Sequence, residues 1–100
     1  MPCQLLTVKP VDKAWSILEE GVENKSIEKR SIAVHALGII TGNRHAQSLA
    51  EKALTDISPE VRLEAADALA AMRASSSKPK LRDALNDKDV KVVIAAANAL

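Results

Sequence analysis

One segment of this 100-residue chain recurs about every 31 residues. Residues 33–37 (AVHAL) resemble residues 65–69 (AADAL) and residues 96–100 (AANAL), so the two steps are 32 and 31 residues. The register persists upstream, in a column of Val22, Leu54 and Leu85 and in a column of Asn24, Asp56 and Asp87. A unit of this length cannot bury its apolar face alone, so it must stack on its neighbours.

The middle repeat shows what one unit contains. Gly42 suits the left-handed end of a helix and Asn43 suits the start of the next. Ser58 is a good N-cap, and Pro59 fits the first helical position that follows it. Both predicted helices carry apolar residues at helical spacing: Ala46, Leu49, Ala50, Ala53 and Leu54 in the first, and Val61, Ala65, Ala68, Leu69 and Met72 in the second. The unit is therefore helix, turn, helix.

Composition supports an all-α fold, because Trp15 is the only aromatic residue and the apolar content is largely Ala and Leu. We predict an α-solenoid of about three antiparallel helix pairs, or about six helices. The domain spans residues 11–100, with repeats at about 11–42, 43–74 and 75–100. Residues 1–10 form an N-terminal segment or cap. Trp15 anchors the core of the end repeat. The second helix of the first repeat runs to about Thr41.

The pattern resembles the HEAT-repeat superfamily of armadillo-like helical folds, specifically the short bacterial PBS-lyase HEAT-like repeats. The residues that carry the resemblance are Asp56, Pro59, Val61, Arg62, Ala65, Ala66, Ala68 and Leu69. In such repeats an Asp in the turn and an Arg six residues later form a hydrogen-bonded ladder between repeats. The resemblance therefore implies structural roles for Asn24, Arg30, Asp56, Arg62 and Asp87, although Val93 replaces the third basic residue.

The end of the chain is apolar on more than one side, from Val90 to Leu100. Terminal repeats normally present a polar outer face. We therefore expect the chain to be the N-terminal part of a longer repeat array. The alternative is a small protein whose uncapped C-terminal repeat is covered by self-association.

Several classes of function find no support in the sequence. Cys3 is the only cysteine, so neither an internal disulfide nor a paired-Cys zinc site can form. His35 and His45 lack both the i, i+4 spacing of a helical metal pair and a third ligand. The trio of His35, Asp67 and Asn98 contains no nucleophile, and the sequence has neither a serine-nucleophile elbow nor a phosphate-binding Gly loop. We therefore predict no enzyme, no cofactor and no metal. Without a signal peptide or a membrane-length apolar run, the default location is cytoplasmic.

The predicted function is a protein–protein interaction scaffold or adaptor that uses the concave surface, with the second helix of each pair lining that surface. The candidate partner-binding residues are Ile32, His35, Ile39, Glu64, Asp67 and Asn98. His35, Asp67 and Asn98 occupy equivalent positions, and they form either a binding row or a structural polar ladder on a solvated face. Ile32 and Ile39 either add an apolar patch or pack against an adjacent helix.

Two alternative functions stay open. The stretch containing Arg73, Lys78, Lys80 and Arg82 has no acid between its first and last members and suits phosphate or nucleic acid. However, no aromatic platform accompanies it, and a net charge of +1 argues against nucleic acid as the partner. A solvated loop is the structural alternative for this stretch. The resemblance also implies, through the family's name alone, an accessory role in prosthetic-group attachment.

Overall fold

The computed structural model describes residues 10–40 and 42–100, which form six α-helices and no β-strand. The helices are α1 (Pro10–Val22), α2 (Ile27–Leu37), α3 (Arg44–Ala53), α4 (Pro59–Met72), α5 (Lys78–Ala84) and α6 (Val90–Ala99), with a short 3-10 helix over Ser75–Ser77. The predicted all-α fold is confirmed. The segment or cap predicted for residues 1–10 lies outside the described residues, apart from Pro10 at the start of α1.

Four helices begin at a residue whose side chain accepts a hydrogen bond from an amide of the first turn. These N-cap residues are Ser26 before α2, Asn43 before α3, Ser58 before α4 and Asp89 before α6. Each cap satisfies one of the backbone donors that a helix start leaves unpaired. The same device thus fixes the start of all three second helices and of α3.

The second helix of the first pair is shorter than predicted, because α2 ends at Leu37 and not near Thr41. The amides of Gly38, Ile39 and Ile40 donate to carbonyls three residues earlier, at 3.0–3.2 Å, so the chain leaves the helix in tight turns. A Cβ on Gly38 would lie 3.0 Å from the Ala68 backbone, which requires a small residue here. Gly42 has the left-handed backbone expected of it (φ +65°), but it lies in the loop beyond the helix end.

The helices form two layers. One layer consists of the second helices α2, α4 and α6, which pack on one another in sequence order. The other consists of the first helices α1, α3 and α5, which contact one another far less than they contact their second-helix partners. The second helices are therefore the closely packed side of an elongated stack, 55 × 29 × 14 Å.

Small side chains make this close packing possible. Gly21 of α1 faces Ala33 of α2 so tightly that an added Cβ would lie 2.7 Å from the Ala33 side chain. In α4, Ala65 and Ala66 are fully buried between neighbouring helices. Larger buried residues complete the core on both sides of this alanine seam: Val34, Leu37, Leu54, Val61, Leu69, Leu81 and Val92.

The far side of α6 has no helix packed on it among the described residues. Leu37 and Leu69 are buried, whereas their counterpart Leu100 is 42% exposed. Ala66 is buried and the corresponding Ala97 is exposed. Within residues 10–40 and 42–100, every helix is too short or too polar to traverse a lipid bilayer.

The alanine seam generates a stability prediction. Ala65→Leu inserts a large side chain where α4 is fully buried, and we expect it to lower the free energy of unfolding by about 1–3 kcal/mol. Ala71→Leu, at an exposed position of the same helix, is the matched control and should change stability little. Urea denaturation followed by circular dichroism measures both. Equal effects of the two substitutions would show that the seam is not closely packed.

Candidate functional site

Three equivalent turns link the first helix of each pair to the second. In each turn a side-chain oxygen accepts a hydrogen bond of 2.9 Å from the amide two residues later: Asn24 from Ser26, Asp56 from Ser58 and Asp87 from Asp89. This local bond holds the turn in one conformation and presents the N-cap residue to the helix that follows.

Arg30 of α2 joins the first turn to the second. Its Nε donates to Asp56 Oδ2 at 2.9 Å and its Nη2 donates to Asp56 Oδ1 at 3.0 Å. Its Nη1 donates to the Asn24 carbonyl of its own turn at 2.9 Å. Both side chains of the ion pair are largely buried, and the two-point geometry makes this a strong contact.

Arg62 of α4 repeats this arrangement one unit further along. Its Nε and Nη2 donate to the two carboxylate oxygens of Asp87 at 2.8 and 3.1 Å, and its Nη1 donates to the Asp56 carbonyl at 2.8 Å. Each arginine therefore pairs with the aspartate of the next repeat. Val93 occupies the third arginine position and has no side-chain donor, so it cannot extend the series of arginine–aspartate pairs. Asp87 is nevertheless paired, because Arg62 of the preceding repeat donates to it.

The Asp87 carboxyl shows the electrostatic effect of this pairing. Burial is the largest single effect and raises the pKa of Asp87, whereas the hydrogen bond from Arg62 lowers it. The Asp89 amide and the charges of Arg62 and Lys88 act in the same direction. The net result is a pKa below the ordinary value of 3.8, so the folded state favours the charged carboxylate.

Three of the predicted partner-binding residues meet on the outer face of the second helices. His35 Nδ1 of α2 lies 3.1 Å from Glu64 Oε1 of α4. Partial desolvation raises the pKa of Asp67, the nearby charge of Glu64 raises it further, and His35 acts in the opposite direction. The cluster thus crowds two carboxylates beside one imidazole. Asn98 is exposed on α6 and has no side-chain hydrogen bond to this cluster.

The isoleucines of this face are exposed. Ile32 is 61% exposed on α2 and Ile39 is 75% exposed in the turn after it, so the alternative that they pack against an adjacent helix is wrong. Ile94 of α6 is 55% exposed. A shallow cavity of about 240 Å³ lies between the starts of α4 and α6 on the same layer. It is lined by Pro59, Glu60, Leu63, Asp89 and Lys91.

The predicted basic stretch separates into two groups in the structure. Arg73 lines a cavity of about 430 Å³ together with Arg44 of α3, and Lys80 lines an adjoining cavity of about 340 Å³. Lys78 and Arg82 are exposed and line neither cavity.

Both histidines pair with glutamates, on different helices. His45 Nε2 of α3 lies 2.8 Å from Glu19 Oε2 of α1, and its ring centroid is 4.7 Å from that of Trp15. Trp15 is partly buried and packs against the core. Among the described residues, no three His, Cys, Asp or Glu side chains are placed to hold a metal ion.

A family model described as HEAT repeats matches residues 15–100. The chain belongs to the HEAT-repeat family. No curated protein matches the chain in sequence. HEAT repeats generally mediate protein–protein interaction, and members of the family are typically non-catalytic.

Sequence reasoning missed several residues of the HEAT stack's surface. Ile94 was visible only as part of an apolar C-terminal run, and Leu63 falls just outside the apolar pattern of α4. Arg44 and Gln47 lie about 30 residues from the serine loop whose cavity they line. Only the lateral packing of α3 beside that loop brings them there, and helical periodicity carries no such information.

The ladder generates a pH-dependent prediction. Asp87→Asn removes a carboxylate whose pKa is lowered in the folded state, so we expect a loss of about 1–3 kcal/mol of stability at pH 7. The wild-type advantage is complete above the ordinary pKa of 3.8 and disappears as the pH falls through the lower folded value. Urea denaturation between pH 7 and pH 3 measures it.

Asp83→Asn is the matched control for this experiment, because Asp83 is exposed on α5 and forms no ion pair with the described residues. It should change stability by no more than about 0.5 kcal/mol at either pH. If Asp83→Asn and Asp87→Asn shift the unfolding curve equally, the Arg62–Asp87 pair contributes no specific stability.

Proposed function

We propose that this HEAT-repeat chain is a non-catalytic scaffold or adaptor module that binds another protein on the exposed surface of α2, α4 and α6. We call this surface the second-helix face. The observation that carries the proposal is the exposure of Ile32 and Ile94 on the same layer of packed helices as the acidic cluster of His35, Glu64 and Asp67. No catalytic group is needed for recognition on such a surface.

The apolar part of the face supplies contact area. An isoleucine that passes from exposed to buried contributes about 1.5–3 kcal/mol when the burial is complete. Ile32 and Ile94 lie on helices at opposite ends of the second-helix layer, and the exposed Ile39 lies in the turn that follows α2. A protein partner that spans the second-helix layer can therefore bury several of these side chains together. A ligand the size of one cavity cannot cover them at the same time.

The charged part of the face indicates the chemistry of the partner. The carboxylates on these helices are Glu28, Glu60, Glu64 and Asp67, and the exposed lysines are Lys29 and Lys91. The raised pKa of Asp67, caused first by desolvation and then by Glu64, fits a locally crowded negative charge. We infer a partner that presents apolar side chains flanked by lysine or arginine, because complementary charge orients and accelerates association.

A cytoplasmic location belongs to the same proposal. It is supported by a sequence in which Cys3 is the only cysteine and no internal disulfide can form. Asn98 belongs to the proposed face through its exposure on α6 and its equivalence to His35 and Asp67 in the repeat.

The test uses substitutions on a bait that captures proteins from nuclease-treated native extract. Ile32→Ser on the second-helix face is compared with Ile17→Ser on α1, since the two isoleucines are 61% and 59% exposed. We expect Ile32→Ser to reduce recovery of a specific protein about tenfold, in line with the loss of about 1.4 kcal/mol. Ile17→Ser should leave recovery unchanged, and quantitative mass spectrometry measures both.

Two other outcomes would contradict the proposal. Equal recovery on both variants would contradict a binding role for the second-helix face. Complete loss of recovery on nuclease treatment would show that nucleic acid, and not a protein partner, bridges the captured proteins.

The acidic cluster gives a second prediction for the same partner. Changing both His35 and Asp67 to Ala should weaken binding without unfolding the chain, because both side chains are exposed. The residual affinity should depend less on salt than the wild-type affinity, because charge on the face has been removed. Isothermal titration calorimetry at low and high salt, with circular dichroism as the folding control, measures this. Unchanged affinity would show that the cluster is structural.

A further inference from the structure

The loop between α4 and α5 forms one wall of two adjoining surface cavities. The larger, of about 430 Å³, is lined by Arg44 and Gln47 of α3 and by Arg73, Ser75 and Ser76 of the loop, among other residues. The smaller, of about 340 Å³, shares three of these residues and adds Lys80. The two together make one basic depression, which we call the loop cavity, on the side of the stack that contains α3 and α5.

The cations of the loop cavity have no counter-ion among the described residues. Arg44, Arg73 and Lys80 form no ion pair there, in contrast to Arg30 and Arg62 of the ladder. Three positive groups that line a common depression without an internal partner repel one another, and an anion between them would remove that cost.

Among the described residues that line the loop cavity, Glu51 is the one acid, and it is hydrogen-bonded to neutral side chains. Glu51 Oε2 accepts a hydrogen bond from Ser77 Oγ at 2.5 Å and one from Gln47 Nε2 at 3.3 Å. Both donors are neutral, and one of them belongs to a fully buried serine. The Oε2 atom of Glu51 is thereby hydrogen-bonded at the base of the loop, and Glu51 forms no ion pair with Arg44 or Lys80, which line the same part of the cavity.

The same network fixes the loop. Gln47 Nε2 donates to Ser76 Oγ at 2.6 Å and to Ser77 Oγ at 2.9 Å. Because Ser76 Oγ accepts this bond, its own proton is available to a ligand. Arg73 ends α4 in the left-handed conformation, with φ 53°, and starts the turn that brings the serines to the cavity. A rigid site loses less entropy when it binds.

We propose that the loop cavity binds a phosphate monoester. Such a group carries a charge of about −1.5 to −2 at pH 7 and three acceptor oxygens. Arg44 and Arg73 offer planar, two-point donors for these oxygens, Lys80 adds a third positive charge, and Ser76 adds a hydroxyl donor. A single carboxylate would neutralise only part of this charge.

The distribution of basic residues favours a monoester over a nucleic acid. Lys78 and Arg82 are exposed but line neither part of the loop cavity, so they do not extend its basic lining. Trp15, the only Trp, Tyr or Phe of the chain, lies with its ring centroid 4.7 Å from that of His45 and packs against the core, so no such ring is available at the loop for bases to stack on.

The test is a titration of the full chain, labelled with ¹⁵N, followed by NMR. The ligands are inorganic phosphate, phosphoserine, a short phosphoserine peptide with its unphosphorylated twin, and a single-stranded oligonucleotide. We expect both monoesters to shift the amide signals of Gln47 and of Arg73–Ser77, whereas the unphosphorylated peptide shifts none of them. Tighter binding of the phosphopeptide than of free phosphoserine would identify a modified protein as the source. Equal binding would identify a small phosphorylated compound.

Matched variants decide whether the named residues form the site. Arg44→Gln and Arg73→Gln should each weaken monoester binding about tenfold, whereas Arg82→Gln should leave it unchanged, with urea denaturation confirming that all three variants fold. The proposal is overturned if no monoester shifts these signals. It is also overturned if Arg82→Gln weakens binding as much as the cavity variants, or if the oligonucleotide binds more tightly than any monoester.

Discussion

The close approach of α2, α4 and α6 is the constraint on which the rest of the structure depends. Ala65 and Ala66 are fully buried and have small side chains, and Gly38 lies against the backbone of Ala68. The second helices can therefore pack as one layer. This packing brings Arg30 and Arg62 within hydrogen-bond distance of the aspartate in the following turn. It also brings His35 of α2 within hydrogen-bond distance of Glu64 of α4. The ladder and the proposed binding face are therefore two consequences of one packing arrangement.

The two surfaces of the stack have different chemistry because they are built differently. On the second-helix face, helices of successive repeats lie side by side, which produces an extended surface that exposes isoleucines and carboxylates. On the other layer, α3 and the loop before α5 meet across a gap, which produces a local depression lined by Arg44 and Arg73. An extended surface suits a protein partner, and a local basic depression suits a small anionic group.

Much of the fold was predictable from the sequence, because repeat spacing and helix caps are local signals. Asn43 and Ser58 begin helices as expected, and the all-α architecture follows from the recurring apolar pattern. The end of α2 was not predictable, since the tight turns at Gly38 depend on contact with Ala68 of another repeat. The exposure of the isoleucines, and the meeting of Arg44 with the serine loop, likewise depend on tertiary packing that periodicity does not encode.

Binding of a protein partner to the second-helix face would protect the backbone of the helices that form it. Hydrogen–deuterium exchange of the chain, alone and bound to a captured partner, tests it directly because backbone protection is resolved helix by helix. We expect slower exchange in α2, α4 and α6 on binding, with α1 and the loop at Ser75–Ser77 unchanged. Protection confined to α1, α3 and α5 would contradict it.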